Sequence, residues 1–246
     1  LVQAPPFRAP HHSASTAALI GGGGVSLRPG EISLAHGGVL FLDELGEFSA
    51  GVLDSLRQPM EEGRIRISRL SGPRIMPARF QLVAATNPCP CGYGRIQGEC
   101  SCAPGAISRY LRRLSGPLLD RFDLRIQVEP PDPQLLLSSG NEETTEAVAK
   151  RVAAVRSLAR DRGIVSNALT PPELIDTVAP ITATGRSRLL ESLERGELTG
   201  RGVHRIRLVA RTMSDLQKGP VKLGAEYIDR ALTMRNLPKD VAERAS

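Results

Sequence analysis

Short unbroken apolar runs bounded by turn residues fill the first half of the chain, and apolar residues at three- and four-residue intervals fill the second. Val39-Leu40-Phe41-Leu42 follows Gly37-Gly38 and runs into Asp43-Glu44, which predicts a strand buried on both faces with two carboxylates at its carboxyl end. Phe80 to Ala85 predicts a second buried strand ending in Thr86-Asn87-Pro88, and Leu124 to Val128 a third. Between the first two, Ser49 caps a predicted helix that ends by Glu62. Val52, Leu53, Leu56 and Met60 share one of its faces, Pro59 bends its last turn and Gly63 closes it. Arg64-Ile65-Arg66-Ile67-Ser68-Arg69 then alternates charge with aliphatic, turns at Ser71-Gly72-Pro73 and returns through Arg74-Ile75-Met76. This is a β-hairpin signature with one face rich in Arg. Residues 1–36 carry Pro5, Pro6, Pro10, His11-His12 and four successive glycines from Gly21, and predict loop with at most a short helix from Ser15 to Ile20. Ile107 to Leu114 reads as a helix.

Pro130-Pro131-Asp132-Pro133 and the polar stretch 138–145 mark a boundary, giving a domain at 1–131, a linker at 132–145 and a second domain at 146–246. Beyond the linker the period is helical throughout. Helices are expected from Glu146 to Arg162 closed by Gly163, from Pro172 to Ala179 opened by Thr170, from Gly185 to Arg195 closed by Gly196, from Gly202 to Gln217, and from Gly224 to Asn236. The predicted fold class is α/β: buried strands with a basic hairpin insert, followed by a compact helical bundle.

With 246 residues, 41% hydrophobic, and a mean hydropathy of -0.14, the chain has the composition of an ordinary soluble protein. No apolar run approaches the length that crosses a bilayer and the amino terminus lacks a secretory pattern, so the expected location is the cytoplasm without membrane contact. The first residue is Leu rather than Met, which admits a fragment or a processed product. A net charge of +6 suits a polyanionic partner, although Arg is spread along the whole length and only local clusters count. Aromatic residues make up 3% with no Trp, which argues against a stacking platform for single-stranded bases.

Two readings of the acidic strand end stay open. One is solvated acids. The other is a nucleotide-hydrolysis geometry in which Asp43 holds Mg²⁺ and Glu44 polarises the attacking water, with Asn87 orienting that water from the neighbouring strand tip. No G-x-x-x-x-G-K-[ST] pattern occurs in the chain, and the glycine run reads as a flexible insertion. His11-His12 reads as one structural and one exposed histidine, because adjacent side chains diverge. Cys89, Cys91, Cys100 and Cys102 form two close C-x-C pairs joined by a glycine-rich loop, which suits either a structural zinc or reduced free thiols. Arg121, flanked by Asp120 and Asp123, is either a local ion-pair partner or an arginine finger for a neighbouring subunit's nucleotide. Arg201 can point at phosphate from a helix amino end. Arg64, Arg66, Arg69 and Arg74 can track a phosphate backbone, or guard an edge hairpin against aggregation.

Taken together, Pro6-Phe7-Arg8-Ala9-Pro10-His11-His12-Ser13, Gly30-Glu31-Ile32-Ser33-Leu34-Ala35-His36, the Gly38 to Phe48 block, Asn87-Pro88-Cys89-Pro90-Cys91-Gly92 and the Leu114 to Leu124 block resemble the ComM/YifB family of magnesium-chelatase-like AAA+ ATPases, over almost the entire chain. The resemblance implies Asp43 and Glu44 as Walker B, Asn87 as sensor 1, Arg121 as the arginine finger and Arg201 as sensor 2. It also implies an α/β fold with a partial AAA+ αβα core, a parallel sheet and a basic hairpin insert, followed by an all-α lid, with a helix-2 insert in the early glycine-rich segment and a pre-sensor-1 hairpin at Arg64 to Arg79. ATP and Mg²⁺ are the implied cofactors, a hexameric ring the implied self-assembly, and ATP-driven DNA remodelling in competence and transformation the implied activity. The family's Walker A loop should precede residue 1. The expectation is therefore that residues 1 to 246 alone neither hydrolyse ATP nor fold robustly, since a strand inside the sheet would be missing. Two rivals remain: a metal-chelatase ATPase subunit acting on a protein partner, and a non-catalytic zinc-stabilised binding module.

Overall fold

A computed structural model describes residues 4–22, 27–67, 72–93, 100–114, 116–128 and 143–235. These residues fall into two compact units that divide between Arg121 and Phe122. In chain order the first unit holds β1 (Phe7–Arg8), α1 (Thr16–Ile20), β2 (Gly21–Gly22), β3 (Arg28–Pro29), α2 (Glu31–Leu34), β4 (Val39–Leu42), α3 (Ala50–Ser55), α4 (Arg57–Glu62), β5 (Arg64–Ile67), β6 (Arg74–Pro77), β7 (Gln81–Ala84), α5 (Pro104–Leu111) and α6 (Gly116–Leu119).

The sheet of the first unit has the order β1-β4-β7, and both pairings are parallel. β4 therefore sits in the middle, with Leu42 opposite Ala84 at the shared carboxyl end. Leu40 and Leu42 are fully buried, whereas Val39 and Phe41 on the other face are half-buried and Phe41 stacks on the exposed Phe7. Burial on both faces, expected from the unbroken apolar run, thus holds for one face of β4. β7 departs further, since Gln81 and Val83 are exposed and only Leu82 and Ala84 are half-buried.

β1 was hidden in a proline-rich stretch that reads as loop. It is recruited because Pro6 keeps its carbonyl and accepts the Val39 N–H at 2.8 Å, while Gly38 lets the two backbones approach. Ser15 caps α1 by accepting the Ala18 N–H, and Gly21–Gly22 pairs with Arg28–Pro29, giving part of the glycine run a ladder partner. The helix expected to reach Glu62 is split at Leu56. Pro59 cannot donate to the Ser55 carbonyl and its ring crowds that carbonyl, so the ladder breaks four residues upstream. Gly63 ends α4 in the left-handed region at φ +64.

Leu124 to Val128 forms no strand. Its side chains at Leu124, Ile126 and Val128 are exposed, and the Arg125 N–H donates to the Met234 carbonyl at 2.6 Å. A period-two apolar pattern becomes a strand only when a ladder partner is present, and no strand pairs with it among the described residues. Residues 122–128 group with the second unit, although the sequence puts them at the end of the first domain.

The second unit is helical: α7 (Thr145–Asp161), α8 (Ile175–Val178), α9 (Ala183–Glu194), α10 (Gly200–Leu216) and α11 (Ala225–Arg235), with 3-10 turns at Asn167–Leu169 and Pro172–Leu174. Thr144, Thr182 and Thr199 each accept an N–H three residues ahead and so start α7, α9 and α10. Leu189, Ile206, Ala210, Leu223, Ile228 and Leu232 form the centre of its core. The helix expected from Pro172 to Ala179 is instead one 3-10 turn followed by the single turn of α8.

Candidate functional site

The sheet registers β4 and β7 so that the residues after each strand emerge at the same end. After Leu42 come Asp43 and Glu44, and after Ala84 come Ala85, Thr86 and Asn87. The two exits are tied together, because the Leu45 N–H donates to the Ala85 carbonyl at 2.8 Å and the Ala85 N–H to the Leu42 carbonyl at 3.0 Å. Asp43, Glu44 and Asn87 are all exposed at this carboxyl end, where open α/β sheets take ligands.

Glu44 has φ 51 and ψ 47, a left-handed conformation that costs a side chain of this size about 1 kcal/mol. Its own N–H donates to Asp43 Oδ1 at 2.9 Å, and the backbone then enters the short 3-10 turn Leu45–Glu47. His12 reaches the same carboxylate from the segment after β1, with Nδ1 at 2.8 Å from Glu44 Oε2. The contact needs one proton, which sits on His12 Nδ1 when the carboxylate is ionised, since a carboxylate only accepts. The two adjacent imidazoles do not diverge as expected: their ring centroids stand 4.0 Å apart at a 37° tilt, although His11 Nδ1 contacts Ser13 Oγ at 2.9 Å and not the carboxylate. The His12 contact spans 32 positions along the chain, which local sequence reading does not reach.

Two further side chains support this end and carried no sequence signal. The Tyr110 hydroxyl lies 3.1 Å from Thr86 Oγ1, and burial, foremost, raises the phenol's pKa. Arg113 donates to the Gly46 carbonyl at 2.8 Å and approaches Glu47 at 3.4 Å. Arg113 also lines a cavity of about 750 Å³ together with His12, Ser13, Thr16, Glu47 and Ser49. Of these, His12 contacts the Glu44 carboxylate and Glu47 donates its backbone N–H to the Glu44 carbonyl at 2.7 Å.

Arg121 is 9% exposed and held within its own chain. It donates to Glu61 Oε1 at 2.6 Å, to the Arg57 carbonyl at 3.2 Å and to the Pro117 carbonyl. Of the two acids that flank it in the sequence, Asp123 pairs with Arg205 in the second unit at 2.6 Å. Arg201 occupies the second position of α10 and is exposed.

The hairpin forms as β5 paired antiparallel with β6, with Arg66 opposite Ile75 and Ile67 opposite Arg74. Directly opposed residues share a face, so Arg64 and Arg66 lie with the exposed Ile75, while Arg74 shares the other face with Ile65 and Ile67. The expected single arginine face is therefore divided between two sides. Arg69 lies outside the described residues. At the hairpin base Glu62 sits 3.1 Å from Arg64 and 3.7 Å from Arg66, and hydrogen bonds from Gln58 and Arg64 lower its carboxyl pKa.

The four cysteines converge. Their sulfurs all lie within 4.8 Å of one another, with Cys89 to Cys91 at 3.3 Å, Cys91 to Cys100 at 3.6 Å and Cys89 to Cys100 at 3.8 Å. Hydrogen bonding from Cys89 first, then from the Tyr93 backbone, lowers the Cys91 thiol to about 6. The hydrogen bond with Cys91 pushes Cys102 up to about 12.

The second unit contains a buried ionic network that sequence reading missed, because its members are scattered over 53 positions. Asp215, with a 2% exposed side chain, accepts from Arg162, from Arg211 Nε at 3.0 Å and from Asn167 Nδ2 at 2.9 Å. Arg211 continues to the Pro220 and Val221 carbonyls, and Arg207 donates to the Ala179 carbonyl beyond α8.

Residues 1–136 match the family model of magnesium chelatase, subunit ChlI, and residues 142–235 match that of the magnesium chelatase subunit ChlI C-terminal region. The competence protein ComM of Haemophilus influenzae is 46% identical over 232 residues, covering 94% of this chain and 45% of the relative. An uncharacterized protein of Mycobacterium tuberculosis is 44% identical over 239 residues, covering 96% of this chain and 47% of its own. The uncharacterized protein YifB of Escherichia coli is 41% identical over 236 residues, covering 95% and 46%. The chain thus spans about half the length of the curated relatives it matches. With both family models accounting for nearly all of its length, the chain belongs to the magnesium chelatase, subunit ChlI, family and is similar throughout to ComM and YifB.

Proposed function

We propose that the protein is an AAA+ ATPase whose hydrolysis site is built on the carboxyl end of the β4 strand, and that it uses ATP to remodel DNA. The observation that carries this reading is the placement of Asp43-Glu44 and Asn87 on the same end of two adjacent parallel strands, with Glu44 held by His12. Exposed carboxylate oxygens are a hard donor set, which suits Mg²⁺, and Asp43 is the residue to hold it. Bound Mg²⁺ would neutralise charge on the nucleotide phosphates. Glu44 takes up the proton of the attacking water, His12 keeps that carboxylate oriented, and Asn87 donates or accepts a hydrogen bond to position the water. Arg201 supplies a guanidinium to phosphate from the amino end of α10. Arg121 serves the nucleotide of the next subunit in a ring, so its engagement exchanges the Glu61 ion pair for phosphate oxygens. The hairpin arginines contact the DNA backbone, and the protein works in the cytoplasm; among the described residues no helix is long and apolar enough to cross a membrane.

The test is Glu44→Gln in the full-length protein, with phosphate release and nucleotide binding measured together. Loss of turnover with binding retained is the expected result, and unchanged turnover would overturn the reading. A second reading, a chelatase-type subunit acting on a protein partner, is favoured by one observation: Ile75 is 59% exposed beside Arg64 and Arg66, which already lean on Glu62. DNA binding that weakens steeply with added salt supports the first reading, and salt-insensitive or absent DNA binding supports the second.

A further inference from the structure

We propose that Cys89, Cys91, Cys100 and Cys102 hold one zinc ion and that this ion pins the loop carrying Asn87. Four thiolates bound at about 2.3 Å around a tetrahedral zinc stand about 3.8 Å from one another. The observed separations of 3.3, 3.6 and 3.8 Å, with all four sulfurs inside 4.8 Å, need only small side-chain rotations to close on an ion. The backbone is arranged for this. Gly92 adopts φ +83 and donates its N–H to the Cys89 carbonyl at 3.1 Å, a turn that brings the sulfurs of Cys89 and Cys91 to one side.

Two disulfides would show two sulfur pairs at bonding distance and the other four separations longer. Here Cys91 is shared almost equally between Cys89 and Cys100, so the set converges on a common point instead of dividing into couples. Four sulfurs so close cannot all ionise beside one another without a cation, and soft thiolate ligands select zinc over magnesium or calcium. Each thiol that enters the coordination shell releases its proton to solvent, so binding is coupled to pH and to folding of the loop.

The consequence for Asn87 follows from the chain itself. Asn87 is joined to Cys89 through Pro88 alone, whose φ is fixed, and Cys89 is 1% exposed and anchored in the core. On the other side Thr86 is held by the Tyr110 hydroxyl. A metal at the cysteines therefore fixes the second end of a short span whose first end is already fixed. The pinning matters for catalysis only if Asn87 has its proposed role; the metal site itself does not depend on that role.

Metal content of the protein purified under reducing conditions without chelator tests the site directly. One zinc per chain is expected. Replacement by cobalt should give the visible bands of a tetrahedral tetrathiolate centre, and Cys100→Ser combined with Cys102→Ser should lose both metal and bands. Cys102→His, which keeps four ligands, should retain zinc and shift the cobalt bands to shorter wavelength, separating loss of ligation from loss of fold. Chelator treatment should remove amide-exchange protection at residues 86–92 while residues 143–235 keep theirs. Absence of metal, iron in place of zinc, metal content insensitive to the double variant, or a mass deficit from oxidised thiol pairs overturns the site. Protection that survives zinc removal overturns the pinning. Because every readout is taken without nucleotide, failure of the proposed hydrolysis and failure of this site are distinguishable.

Discussion

His12 Nδ1 lies 2.8 Å from Glu44 Oε2, joining the segment after one edge strand to the acid at the end of the central strand. Glu44 is otherwise half-exposed and sits on a left-handed backbone, so this contact narrows the rotamers open to its carboxylate. Replacing His12 by Ala in the full-length protein is expected to lower ATP turnover on the order of tenfold through lost orientation. Nucleotide affinity should change little. His12→Asn, which keeps a donor, should recover part of the rate, and steady-state kinetics with a separate binding assay check both.

Glu44→Gln should lower turnover by roughly 10²–10⁴, the range for loss of a positioned general base. The amide fills the same volume and still accepts from a donor, so the thermal unfolding midpoint should stay close to that of the parent protein.

Asp215 is buried and bridges two guanidiniums, Arg162 and Arg211. Asp215→Ala leaves both without their acid and should cost about 3–5 kcal/mol, read by denaturant unfolding of the second unit. The pH dependence has a definite sign. Burial alone would raise the Asp215 pKa, but hydrogen bonds from Arg162 and Asn167 and the charge of Arg211 bring it below the ordinary aspartate value. A depressed carboxyl contributes stability that is fully present above its unfolded pKa and is lost as pH falls through the folded one. Acid unfolding of the parent should therefore show a loss of stability below about pH 4 that Asp215→Asn lacks.

Gly38 tests the recruitment of β1. A Cβ added there would stand 1.9 Å from the Pro6 carbonyl oxygen, a backbone atom that cannot move without breaking the β1–β4 pairing. Gly38→Ala should destabilise the first unit by about 1–3 kcal/mol. Gly51→Ala, inside α3 with nothing within 4 Å, is the opposite case and should stabilise by about 0.5–1 kcal/mol. Melting curves of the two variants should move in opposite directions.

If the hairpin contacts DNA, Arg66→Ala should reduce the slope of log affinity against log salt by about 0.9, one phosphate contact. Arg74→Ala, on the opposite face of the ribbon, should have a smaller effect when a single face is engaged. Equal effects would indicate that DNA touches both faces.

Much of this architecture was legible wherever a local pattern had a local cause. The run Val39 to Leu42 marked the central strand, Ser49 and Gly63 marked the ends of a helical stretch, and the alternation from Arg64 marked the hairpin, because each depends on neighbours within a few positions. The failures share the opposite property. Leu124 to Val128 has the right alternation and no ladder, and Phe7–Arg8 has a ladder without any alternation, since strand formation is decided by the partner. At the candidate site, Asp43, Glu44 and Asn87 were readable as strand tips, whereas His12, Tyr110 and Arg113 were not. Their contacts close loops of 24 to 67 residues, and no short-range spacing encodes such a meeting. The buried Arg162–Asp215–Arg211 group escaped notice for the same reason, and because arginines at helical spacing read as a solvated face.

Position 44 also sets chemistry and durability against each other. Asn tolerates the backbone angles found there far better than Glu does. Laboratory selection for heat tolerance alone would therefore favour Asn at that position, and the survivors would be sturdier molecules deprived of the carboxylate proposed to activate water.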